Sequence, residues 1–399
     1  MNERTIDDRR ARRTALRLAA AQALAGANAT VVFATGAIVG AMLAPDKGLA
    51  TLPISIFVVG MAAGTLPTGW IGHRFGRRAA FIAGSGCGCV AGLVAAAALL
   101  IGSFSLYCVA TFLAGLYGAV VQSFRFAAAD GASAAFRPRA LSWVMAGGVF
   151  SGVLGPQLVT WTMGLWPPFV FAASYLAQAV VALVAMAVLA GVDLPPPARV
   201  ATGGGRSLGE IARQPRFVVA VLCGVITYVL MNLVMTSAPL AMRMCGLPLS
   251  ASNMAIQWHL VAMYGPSFFT GALIARFGAR RVVAVGLVLL AAAAAVGLAG
   301  LSVAHFTVGL LLLGVGWNFG FVGASSLVLE AHRPEERTRV QSFNDFLVFG
   351  TMALGSFSSG QVLVVFGWSA VNLIVLPLVA VGLAALAAAA LLRRRAAAA

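Results

Sequence analysis

The sequence predicts an all-α integral membrane protein of twelve transmembrane helices, arranged as two pseudo-symmetric six-helix bundles. Three observations carry that expectation. The 399 residues are 61% hydrophobic and only 10% charged, where water-soluble domains carry about 25% charged residues. Twelve apolar runs each approach the ~20 residues needed to cross a ~30 Å hydrocarbon core. A basic turn, Gly69 to Arg78 (G-W-I-G-H-R-F-G-R-R), partly recurs about 200 residues later as Gly271 to Arg280 (G-A-L-I-A-R-F-G-A-R). Arg74, Phe75, Gly76 and Arg78 match Arg276, Phe277, Gly278 and Arg280, so the chain reads as a duplication.

In chain order, residues 1–17 form a basic N-tail and 18–190 the first bundle, with spans at 18–43, 49–71, 79–101, 105–129, 140–163 and 166–190. The first run is too long for the 7–15-residue core of a signal peptide and is expected to stay as a span. Residues 191–216 are a linker carrying Pro195–Pro197 and Gly203–Gly205, residue types that interrupt regular structure. Its end, S-L-G-E-I-A-R-Q, is expected to form a short amphipathic turn with Leu208 and Ile211 inward. The second bundle, 217–392, has spans at 217–242, 250–275, 282–301, 306–330, 340–365 and 368–392, and 393–399 is a basic C-tail. Glycine pairs four apart, such as Gly60/Gly64 and Gly316/Gly320, suit close helix packing in a membrane.

A net charge of +16 would point to nucleic acid in a soluble protein. Here 27 Lys and Arg occur, and all except Lys47 and Arg243 fall in or beside segments that would share one membrane side. This is the positive-inside bias, which puts both termini in the cytoplasm and fits a bacterial inner membrane. No nucleic-acid partner is expected. Cys87, Cys89, Cys108 and Cys223 lie in apolar runs and Cys245 stands alone, so neither a disulfide framework nor a metal site is read. No phosphate-binding loop or catalytic pairing is visible, which excludes an ATP-driven pump, makes an enzyme the weakest class and implies no cofactor.

The repeated basic turn resembles the loop between helices 2 and 3 of the major facilitator superfamily, G-x-x-x-D-(R/K)-x-G-(R/K)-(R/K). The resemblance implies a monomeric transporter whose two halves rock around a central site. Carried onto this sequence, the implied latch comprises Gly69, His73, Arg74, Gly76, Arg77 and Arg78, with Gly271, Arg276, Gly278 and Arg280 in the second copy. The family's acidic residue is replaced by His73 and Ala275. Arg125, Asp130 and Glu330 stand near the ends of spans 4 and 10. The two carboxylates are expected to pair with Arg74, Arg77, Arg276 or Arg280, either as a state-dependent latch or as static anchors. S-F-R-F-A-A-A-D and Q-W-H-L-V-A-M-Y-G-P-S-F-F-T-G are similar to a bacterial branch that includes riboflavin carriers.

Polar groups near the bilayer centre are costly and usually functional. At ~1.5 Å rise per residue, Asn28, Tyr117, Asn232, His259 and Asn318 fall near the midplane, accompanied by Trp258 and Trp317. The resemblance places spans 1, 4, 7 and 10 around the cavity, so these residues form the expected binding set. Amide, phenol and aromatic groups without full charge suit a neutral or weakly charged planar organic solute. His259 and Asp345 are the proton-coupling candidates, with a plain interhelical hydrogen bond as the alternative, and favoured, reading of His259. Two other classes stay open: an efflux pump for hydrophobic compounds, and a transporter-like sensor or scaffold that moves nothing.

Overall fold

The protein is described from a computed structural model, which covers residues 8–46, 49–50, 52–194 and 205–398. The tail 1–7, Lys47, Gly48, Pro195–Pro197, Gly203 and Gly204 lie outside the described residues.

The described chain is helical, as apolar runs with few breakers require. Its first six long helices are α1 (Asp8–Leu43), α2 (Leu52–Arg74), α3 (Arg77–Ile101), α4 (Phe104–Asp130), α5 (Arg137–Thr162) and α6 (Ala172–Ala190). A five-residue α7 (Leu208–Ala212) follows, closed by a reciprocal Ser207/Glu210 capping box and with Ile211 buried. Then come α8 (Pro215–Met244), α9 (Leu249–Tyr264), α10 (Ser267–Phe277), α11 (Ala279–Ala299), α12 (Val303–Leu329), α13 (Arg337–Leu373) and α14 (Val375–Ala398). Eleven described segments are long and apolar enough to cross a membrane.

Two spans are not single rods. The expected span at 250–275 breaks into α9 and α10 at Gly265–Pro266, because Pro266 has no N–H to continue the ladder. Helix α13 turns at Gly367 (φ 79°), which separates the eleventh span from the twelfth. Helix α1 begins ten residues before the first apolar run, so the basic N-tail continues the first span as helix.

The repeated turn has one backbone in both copies. Gly76 (φ 89°, ψ 155°) and Gly278 (φ 85°, ψ 147°) precede α3 and α11 in a conformation that side chains resist, which explains the shared R-F-G. The small-residue pairs do bring backbones together: a Cβ on Gly115 of α4 would sit 2.2 Å from the carbonyl oxygen of Phe57 in α2.

The chain divides into two compact units. One comprises residues 1–201 with 341–353, and the other 202–340 with 354–399. The start of the eleventh span, from Gln341, therefore packs as part of the first unit.

Candidate functional site

In the first unit, charge is concentrated where α3, α4 and α13 meet. Arg77 donates from Nε to Asp130 Oδ2 at 2.7 Å and also reaches Gln341 Oε1. Gln341 in turn donates to Asp130 Oδ1 at 3.3 Å. Arg77 and Asp130 have side chains only 9% and 3% exposed. Five residues earlier on α4, Arg125 pairs with Asp345 at 2.5 Å, with side chains 1% and 4% exposed. Asp345 also accepts from Asn344 Nδ2 at 3.0 Å, and Arg125 lies 4.4 Å over the Phe126 ring while donating to the Gln122 carbonyl. Charges so deeply placed are tolerable only when paired and hydrogen-bonded.

Of the loop arginines considered for the carboxylates, Arg77 is the one that reaches Asp130, while His73, Arg74 and Arg78 are exposed. The second copy is different. Glu330 stands exposed at the end of α12 and makes no ion pair among the described residues. The basic turn explains the difference, because Ala279 occupies the repeat position of Arg77 and offers no cation. Arg276 is likewise exposed and lies over its own neighbour Phe277 at 5.2 Å.

The mid-span residues of each unit make specific contacts. Asn28 donates to the Ala114 carbonyl at 3.1 Å and accepts from Gln178 Nε2, joining α1, α4 and α6. Tyr117 turns towards α3, where a Cβ on Gly88 would fall 2.3 Å from its ring, and its hydroxyl is buried. In the second unit, Trp317 stacks on Phe321 at 5.1 Å and meets Tyr228 and Tyr264 edge-on, each at 5.6 Å. Its indole N–H is buried without a partner among the described residues.

Asn318 repairs the break in the eighth span. It donates to the Met263 carbonyl at the end of α9 (2.8 Å) and to Ser267 Oγ at the start of α10 (2.6 Å), and it accepts from Thr270 Oγ1 (2.6 Å). One turn away on α9, His259 is fully buried and its Nδ1 lies 2.8 Å from the Leu310 carbonyl. A carbonyl accepts, so the proton is assigned to Nδ1. Nε2 is then a bare acceptor, buried without a partner among the described residues. Trp258 is half exposed. Asn232 is buried, and its amide makes no hydrogen bond among the described residues.

His259, Trp317 and Asn318 thus gather around α12, whereas Asn28 and Tyr117 belong to the other unit. Sequence reasoning missed Gln178, Gln341, Ser267 and Thr270. A lone glutamine in the otherwise apolar stretch 176–190 was the one available signal for Gln178.

A duplicated set of apolar helices, with polar groups held at mid-span and irregular backbone stitched by side chains, is the build of a membrane transporter. The chain belongs to the major facilitator superfamily, whose sequence profile matches residues 18–265 and 249–399. It is 46% identical over 373 residues to the Riboflavin transporter RfnT of Brucella anthropi, covering 93% of this chain and 94% of that protein. It is 31% identical to YddS of Bacillus subtilis, an uncharacterized transporter of the same family, over 82% of this chain and 80% of the relative. Among solved structures, the proton:xylose symporter XylE aligns with a TM-score of 0.77 at 14% identity, covering 94% of this chain and 95% of that one. The transporter FucP in its outward conformation also gives 0.77 at 14% identity, over 93% and 97%. At that identity the likeness is one of fold alone. The chain is a multi-pass membrane transporter, and alternating access is the mode typical of its family.

Proposed function

We propose that the protein carries riboflavin, or a closely similar neutral and planar heteroaromatic solute, across the bacterial inner membrane by alternating access. The observation that carries this reading is the 46% identity to a riboflavin transporter over nearly the whole length of both chains. The residues fit such a cargo. Among the described residues, Asn232 supplies an amide for which no hydrogen bond is seen, Trp258 an exposed ring, and His259 an acceptor that no donor reaches. Asn28 and Tyr117 in the first unit, and Trp317 and Asn318 in the second, hold helices of their own unit on which a solute would rest. The basic loops and both termini face the cytoplasm, and the transporter works as a monomer.

In this reading Arg77, Asp130 and Gln341, together with Arg125 and Asp345, form the cytoplasmic gate. Ion pairs that exist in only one of two states bias the equilibrium by the difference they make, and by no more. His259 and Asp345 remain the candidates for a coupling proton. Glu330, which pairs with no cation among the described residues, is left as an exposed helix end.

Riboflavin fluoresces, so flux into liposomes containing the purified protein tests the assignment directly. A ligand at 100 times its Kd adds about 2.7 kcal/mol to apparent stability, which a thermal-shift series over metabolites and dyes resolves. Saturable riboflavin flux with a selective shift is expected. Shifts with several unrelated dyes and none with riboflavin would point to drug efflux, and selective binding without flux would point to a sensor. His259→Ala should reduce flux while leaving folding near normal. Flux driven faster by an imposed proton gradient would establish coupling.

A further inference from the structure

The segment that leads into each half grips the loop between the fourth and fifth spans of that same half. In the first unit, Asp8 accepts from the Ser133 backbone N–H at 3.2 Å and from its hydroxyl at 2.9 Å, and Arg12 lies 5.6 Å over the Phe136 ring. In the second unit the corresponding place holds an ion pair. Glu336 Oε1 accepts from the Arg206 backbone N–H (2.8 Å) and Nε (2.9 Å), while Oε2 accepts from the Arg206 guanidinium (2.6 Å) and the Arg333 N–H (2.9 Å). Arg339 closes the arrangement by donating to the Arg206 carbonyl. Ser133 and Arg333, like Phe136 and Glu336, are 200 residues apart (333 − 133 and 336 − 136), so the two grips are repeat-related. The second is much the stronger, because both oxygens of a fully enclosed carboxylate are satisfied by a cation and backbone donors.

Its position matters more than its strength. Glu336 is the residue immediately before α13, and the division between the two units falls four residues later, between Val340 and Gln341. Gln341 and Asp345, the gate residues on α13, follow within three turns of that anchor. A helix pinned at its first turn has its rotation fixed, and with it the direction in which side chains a few residues on project. Without the Arg206 side chain, the enclosed carboxylate would keep the backbone N–H groups of residues 206 and 333 but face no cation, and would have to swing out to water or take up a proton. Either change frees the start of the helix.

We propose that Arg206, at the end of the linker, is a positioning residue of the gate: by pinning Glu336 it sets α13 so that Gln341 and Asp345 meet Arg77, Asp130 and Arg125. The inference rests on the gate reading above, and it makes the linker part of the gate rather than a passive connection.

The test uses the full-length protein in detergent with Ser342→Cys as the sole cysteine, a half-buried position in the first turns of α13. Its alkylation rate with a maleimide reports exposure of the gate. A parallel sample retaining only the buried native Cys223 reports general loosening. Arg206→Ala and Glu336→Gln are expected to speed alkylation at Ser342→Cys about tenfold, the change given by about 1.4 kcal/mol of lost anchoring. Cys223 should stay protected, and Arg206→Lys, which keeps the charge but loses the fork, should fall between. Unchanged reactivity at position 342 in the folded variants would overturn the proposal, and so would equal rises at 342 and Cys223. If Arg206→Ala does not fold, the milder Arg206→Lys decides alone. Asp345→Asn in the same background separates the two readings. If it opens position 342 and the Arg206 variants do not, the positioning role fails and the gate stands. If it has no effect, the gate reading itself fails.

Discussion

Replacing Asp345 with asparagine keeps the volume of the side chain and one acceptor but removes the charge that Arg125 faces. Arg125 is 1% exposed and its guanidinium lies 2.5 Å from Asp345, so the cation would be left enclosed. Breaking a buried pair in this way costs about 3–5 kcal/mol. The Gln122 carbonyl and the Phe126 face remain, which argues for the lower end, about 3 kcal/mol. For a unit of about 200 residues that corresponds to roughly 6–12 °C in Tm. Removing both charges is a different matter, because no ion is then stranded. Arg125→Met with Asp345→Leu should lie within about 1 kcal/mol of the parent or above it. Thermal unfolding in detergent, followed by a thiol-reactive dye, measures all three proteins. An Asp345→Asn protein as stable as the parent would refute the reasoning, as would a double variant no better than the single one. If the pair exists in one transport state only, the same 3 kcal/mol shifts the balance between states by about a hundredfold. Substrate affinity measured from the two sides would then move in opposite directions.

Other expectations follow from individual contacts. Gly115→Ala would place a methyl group 2.2 Å from the Phe57 carbonyl and should cost about 1–3 kcal/mol, whereas Gly86→Ala, with nothing within 4 Å, should be neutral or slightly stabilising; paired Tm measurements decide. Asn318→Ala removes all three bonds that stitch α9 to α10 and should lower Tm by the equivalent of at least about 1–3 kcal/mol. Asn232→Ala has no such bond to lose, so its Tm should stay within about 1 kcal/mol of the parent while the KM for riboflavin flux rises. The Arg206 guanidinium beside Glu336 lowers its carboxyl to about 2, so its stabilisation is complete above the ordinary carboxylate range and disappears as pH falls through about 2. Alkylation at Ser342→Cys should therefore be flat from pH 5 to 8, after correction for thiol ionisation. A rise across that window would place the titration elsewhere.

The sequence by itself determined the membrane, the number of spans and the doubling. Runs of about 20 apolar residues have few alternatives, and a basic turn seen twice, with its Gly76 and Gly278, encodes the same backbone twice. It also made Arg77, Arg125, Asp130 and Asp345 stand out in an apolar chain, without showing that Asp345 is the partner of Arg125. Its 200-residue symmetry nevertheless implied a pairing for Glu330 that Ala279 leaves without a cation, and it gave Glu336 no special standing. It singled out Asn28 and Asn318 without revealing that Gln178, Ser267 and Thr270 complete their bonds.

Those matters were decided by tertiary structure alone. A membrane helix that is apolar on every side carries no periodic signal of its rotation, so depth can be read along the chain but direction cannot. Arg77 and Gln341 lie 264 residues apart, and Arg125 and Asp345 lie 220 apart. Whether such residues meet depends on how each helix is turned and where small residues let it settle, and those are properties of the packed bundle rather than of any one segment.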